Sequence, residues 1–126
     1  MKKVISSNNA PSAIGPYAQA ILANGILYIS GQIPVVPETG KILEGIEEET
    51  HQVMKNLSAI LEEAGMNFSN VVKSQIFLKN IEDFPIVNEI YAYYFTKNQY
   101  PARETIQVAE LPKNVNIEIS MIAHQD

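Results

Sequence analysis

Apolar residues recur along this chain at two spacings, and the change from one to the other marks its elements. Between positions 44 and 64, Ile46, Val53, Met54, Leu57, Ile60, Leu61 and Ala64 follow three- and four-residue steps. That period predicts one helix with a single buried stripe. Glu47, Glu48 and Glu49 load its first turn, where the helix dipole favours anions, and Gly65 is placed to end it. A second helix is predicted over "DFPIVNEIYAYYF", with Asp83 as N-cap and Pro85 in the first turn. Its apolar side is Phe84, Val87, Ile90, Tyr91 and Tyr94.

Elsewhere the period is two. "YAQAILANGILYIS" reads as two strands about Asn24-Gly25, a pair suited to a tight hairpin turn. "GQIPVVPETGK" is loop, and "VVKSQIFLKN" is a strand with Val72, Ile76 and Leu78 on one face. "PARETIQVAELPKNVNIEIS" reads as a closing hairpin, with strands near 102–109 and 115–123 turning at "LPKN". The order is strands, helix, strand, helix, strands: an α+β domain spanning 1–126, two helices on one sheet.

Alternation then assigns faces. Val115, Ile117, Ile119, Met121 and Ala123 should lie under the helices, which turns Asn116, Glu118 and Ser120 to the opposite face. In the preceding strand Ile106 and Val108 share one face and Arg103, Thr105 and Gln107 the other, so Arg103 and Glu118 are expected together on the helix-free side, flanking one pocket. Tyr17, Ile21, Tyr28, Val71 and Phe77 would leave that side apolar, a patch that a second copy of the chain would cover.

Composition narrows the chemistry. At 46% apolar and 18% charged residues the chain is globular, and its net charge of −5 offers no basic footprint for nucleic acid. Without cysteine there is no disulfide, thiolate nucleophile or Cys-based metal site, and two histidines are too few for a His-rich one. No apolar run reaches the ~20 residues of a membrane span, and no apolar core follows the two N-terminal lysines as a secretory signal needs. A cytoplasmic protein acting on something small, or on a protein, is expected.

Arg103, at the mouth of a strand, reads either as a surface pair with Glu104 or as a planar fork for a substrate carboxylate. Glu118 is an exposed strand residue, a partner for Arg103, or a group that orients water. Gly31 could open backbone to a ligand beside the Ser30 hydroxyl. Tyr91 and Tyr94 read as core, Asn88 as a solvated amide, His51 as exposed on its helix, and His124 as part of a frayed tail.

Taken together, "IGPYAQA", "YISGQIPVVPETGKI", "NLSAILEEAG", "VVKSQIFLKNIEDFPIVNEIYAYYF" and "PARETIQVAELPKNVNIEI" resemble the Rid family of reactive-intermediate deaminases, its RidA-like branch. The resemblance runs from about residue 4 to 123, and Pro101-Ala102-Arg103 followed by Ile117-Glu118-Ile119 is its most specific part. It implies a chorismate-mutase-like fold, a single mixed sheet with two helices on one face, assembled as a homotrimeric barrel with sites between subunits. It also implies hydrolysis of 2-imino acids such as 2-iminopropanoate and 2-iminobutanoate to 2-keto acids and ammonia. No metal or organic cofactor is expected. By motif, Arg103 would grip the carboxylate and Glu118 hold the water, with Tyr17, Ser30, Gly31, Asn88 and Thr105 lining the pocket. Thr105 stands where many members carry cysteine, Glu104 where a small residue is usual, and Ala18 where serine is common. A metabolite-binding or regulatory member of the same fold is the alternative.

Overall fold

The computed structural model describes residues 1–125. Six strands, β1 (Lys3–Ile5), β2 (Ala20–Ala23), β3 (Ile26–Gln32), β4 (Val71–Leu78), β5 (Ala102–Gln107) and β6 (Ile117–His124), form one mixed sheet. Its order is β1-β2-β3-β6-β4-β5. Only β4 and β5 pair parallel, and the helices α1 (Ile46–Glu63) and α2 (Phe84–Tyr93) cover one face.

The periodic stretches fold as their spacing predicts. Val53, Met54, Leu57, Ile60 and Leu61 of α1 are fully buried against Leu27, Ile76, Ile117 and Ile119. Burial of each such side chain stabilises by about 1.5–3 kcal/mol. Asn24 and Gly25 both take positive φ, 52° and 77°, and close the β2–β3 hairpin. Gly65, at φ 74°, ends α1 in the left-handed region.

Glu47, Glu48 and Glu49 occupy the first turn of α1 as expected, and one of them does more. Glu49 is buried, and its carboxylate accepts Gly45 N–H at 3.2 Å, Asn116 N–H at 2.9 Å and Asn116 Nδ2 at 2.6 Å. This ties the start of α1 to the residue before β6. Asp83 precedes α2 without a side-chain cap, and Asn80 instead caps the short 3-10 turn Ile81–Asp83 by accepting Glu82 N–H at 2.9 Å. His124 belongs to β6, paired with Ile26, and is not a frayed tail.

Three expectations about the sheet are corrected. The closing segment is not a hairpin: β6 runs between β3 and β4, and β5 lies outside β4. A register shift between Val71 and Lys73 buries Val71 and leaves Val72 exposed, reversing the expected faces of those two residues. In β5, Arg103 and Thr105 align with the buried Ser74 and Ile76 of β4, while Ile106 aligns with Phe77. Arg103 therefore projects on the helix side and Glu118, aligned with Phe77, on the other. They do not share a face.

The apolar character of the helix-free face does hold. Val4, Tyr28 and Ile106 on that face are 59%, 47% and 47% exposed among the described residues.

Candidate active site

Glu118 sits in the central strand β6 on the open face. Its carboxyl group lies against Gly31, where an added Cβ would come within 2.6 Å of the carboxyl carbon. The space is there because β3 slips register between Ile29 and Gln32, lifting Ser30 and Gly31 out of the regular ladder. Ser30 holds this irregularity in place: its hydroxyl donates to Ala18 C=O at 2.6 Å and its N–H to Gln19 C=O at 2.9 Å. These bonds dock the loop that carries Tyr17, which is 55% exposed.

Buried Gln19 anchors the other end of that loop. Its amide accepts Ser7 N–H at 2.8 Å and donates to Pro11 C=O at 2.8 Å. Sequence reading passed over Gln19, because an amide in a strand-like run gives no signal until its partners are known. Within the described residues, neither hydrogen bond nor ion pair reaches the Glu118 carboxylate. Half-burial without a donor raises its pKa above the ordinary glutamate value of 4.5.

Arg103 sits at the opposite edge and on the opposite face. Its guanidinium carbon lies 5.0 Å from the Tyr91 ring centre and 5.4 Å from that of Phe84, a cation held over two aromatic faces. It opens on a cleft of about 450 Å³ lined by Asn88, Tyr91, Ala92, Tyr100, Pro101 and Arg103. No carboxylate among the described residues pairs with it. Its neighbour Glu104 points to the open face, as alternation along the strand requires, and there accepts Lys73 Nζ at 2.8 Å and Gln75 Nε2 at 2.8 Å. Those two bonds hold its carboxyl below the usual range.

The seven expected site residues thus fall into two groups. Tyr17, Ser30, Gly31 and Glu118 gather around the β3 irregularity, and Asn88, Arg103 and Thr105 stand along α2 and β5. Among the described residues, β4 and the thickness of the sheet separate Arg103 from Glu118. The aromatic wall behind Arg103 was not singled out from the sequence, where Tyr91 reads as core. Tyr91 is buried, as that reading expects, and also forms part of the wall. His51 is half-buried, not exposed, with Nδ1 2.7 Å from the Tyr94 hydroxyl. No helix among the described residues is long and apolar enough to cross a membrane.

Known proteins share this sequence and fold. A family model described as Endoribonuclease L-PSP matches residues 7–125. The human protein named 2-iminobutanoate/2-iminopropanoate deaminase is 49% identical over 126 residues, covering 99% of this chain and 91% of that one. Among solved structures, the Rid-family protein YyfA of Yersinia pestis superimposes with a TM-score of 0.96 at 52% identity, covering 98% of this chain and 99% of that one. Escherichia coli TdcF with bound serine gives a TM-score of 0.94 at 38% identity, again over 98% and 99% of the two chains. The sheet and its two helices are of the chorismate-mutase-like type. Likeness in sequence and in fold, running nearly end to end, shows that the chain belongs to the Rid family.

Proposed function

We propose that this protein hydrolyses small 2-imino acids and their enamine tautomers, such as 2-iminopropanoate and 2-iminobutanoate, to 2-keto acids and ammonia. The site is completed between copies of the chain in a homotrimer. One observation carries the reading: a guanidinium and a carboxylate, each without an ionic partner among the described residues, face outward from opposite sides of the sheet. Opposite charges left unpaired on two faces become complementary when one copy's Glu118 face meets another copy's Arg103 edge. The exposed apolar side chains of Val4, Tyr28 and Ile106 supply surface for that contact. The human relative's name supports the reaction class. The serine bound to TdcF, an amino acid with a free carboxylate, supports the substrate's size and charge.

The chemistry asks little of the protein. A protonated imine carbon is already electrophilic, so orientation and proton handling carry the reaction. Arg103 binds the substrate carboxylate through its planar fork. Glu118, as carboxylate, takes a proton from water whose oxygen bonds to C2 while the C=N electron pair moves to nitrogen. The resulting carbinolamine takes the proton back on nitrogen, the C–N bond breaks, ammonia leaves, and the C2 hydroxyl loses its proton to give the keto acid. Ser30, Gly31, Tyr17, Asn88 and Thr105 shape the cavity. We place the activity in the cytoplasm, beside the pyridoxal-phosphate dehydratases that release such imines.

The test couples the protein to a threonine dehydratase and follows keto-acid release. Arg103→Ala and Glu118→Gln should each retain no more than about 1% of the parent rate alone. Mixed and reassembled in equal amounts, they should recover about a quarter of the parent rate, because that fraction of inter-subunit sites draws both intact groups. Full activity of Arg103→Ala, or no recovery on mixing, overturns the reading.

A further inference from the structure

We propose that Tyr91 and Ser74 are positioning residues that hold Arg103 ready for a carboxylate, an inference that rests on the role given to Arg103 above. Three contacts close a ring. Arg103 is aligned with Ser74 across the parallel β4–β5 ladder. The fully buried Ser74 accepts the Tyr91 hydroxyl at 2.8 Å. The Tyr91 ring returns to the Arg103 guanidinium, 5.0 Å away. Backbone register, side-chain hydrogen bond and cation–π contact therefore fix one another.

The arrangement answers a specific difficulty. An arginine on an edge strand has a long, flexible side chain and loses rotamer freedom whenever it must point one way. A carboxylate partner within the chain would hold it, but would also occupy the fork that the substrate needs. An aromatic face holds the cation and leaves its N–H edge free. Phe84, at 5.4 Å, contributes a second face but has no polar tether. Tyr91 has one: its hydroxyl bond to Ser74 fixes the ring plane, and Phe95 packs against the ring with centroids 4.7 Å apart. Burial raises the Tyr91 pKa, so the hydroxyl stays a donor across the neutral range.

A merely structural Tyr91 would affect all ligands alike, whereas a residue that aims Arg103 affects anions. The experiment is an NMR titration of the assembled protein with 2-oxobutanoate and with its uncharged amide, 2-oxobutanamide. Tyr91→Leu should weaken 2-oxobutanoate binding about tenfold, the scale of a partly desolvated cation–π contact, and weaken binding of the amide far less. Tyr91→Phe keeps the ring, and Ser74→Ala keeps the tyrosine. Each should lose about threefold for the anion alone. Parent-like anion affinity in a folded Tyr91→Leu protein, or equal losses for both ligands, overturns the inference. Should Tyr91→Leu fail to fold, Ser74→Ala decides on the same terms. Arg103→Ala separates the two levels: anion affinity retained there overturns the proposed function, while affinity lost there but kept in Tyr91→Leu overturns only the role of Tyr91.

Discussion

Arg103 and Glu118 are held in contrasting ways. The cation lies at the edge of the sheet, on the helix side, steadied by π-faces and open to a cleft. The anion lies on the central strand, on the open side, pressed to a glycine backbone, with no hydrogen bond or ion pair among the described residues. Burial raises the pKa of Glu118, while Glu104, an exposed carboxylate one residue from Arg103, has its own cation and a lowered pKa. A structural ion pair is satisfied where it stands, as Lys73 and Glu104 are. Groups kept unpaired at a cost in desolvation are what a ligand or a second copy would complete.

The largest test of that contrast is Arg103→Ala. Removing a bidentate, charge-assisted contact costs about 4 kcal/mol, so kcat/KM should fall ~1,000-fold in the coupled assay. Thermal unfolding should fall only modestly, because two cation–π contacts but no ion pair among the described residues are lost.

Glu118→Gln should lower kcat about 100-fold, the scale of one positioned acid–base group. The parent should lose activity as pH falls through a pKa above the ordinary glutamate range, and the variant should lack that limb. Stability should move the other way. The folded carboxyl binds its proton more tightly than the unfolded one, so the charge penalty is absent well below pH 4.5 and grows as pH rises toward the raised value. Above that window Glu118→Gln should therefore melt higher than the parent, and below it the two melting curves should converge.

Gly31→Ala sharpens the anion's side. The added methyl would overlap the Glu118 carboxyl, a flexible group able to swing away, so activity should drop about tenfold while Tm holds. Glu104→Ala should do least. Its carboxylate is exposed on the face away from Arg103, so KM for the imino acid should match the parent's within error.

Residues with a strong local period were legible. The buried stripe of α1, the Asn24-Gly25 turn and the alternation of β6 all fold as the chain alone predicts. The candidate site was legible as a list of residues and not as a geometry. Alternation correctly separates Arg103 from Glu104 and Glu118 from Ile117 and Ile119, because it operates within one strand. It cannot say which face of one strand continues which face of another. Burying the apolar Ile106 would have put Arg103 on the open side, but β5 aligns Thr105 with Ile76 and leaves Ile106 47% exposed.

The sequence by itself determined the two helices, the β2–β3 turn, the face that β6 buries and the family to which these motifs belong. Each follows from interactions within a few residues, or from a pattern carried along the chain. Only the tertiary structure decided that β6 enters between β3 and β4, that β5 runs parallel outside it, and that Arg103 and Glu118 leave the sheet on opposite sides. Strand order and register depend on contacts between distant segments, and such contacts leave no local period to read.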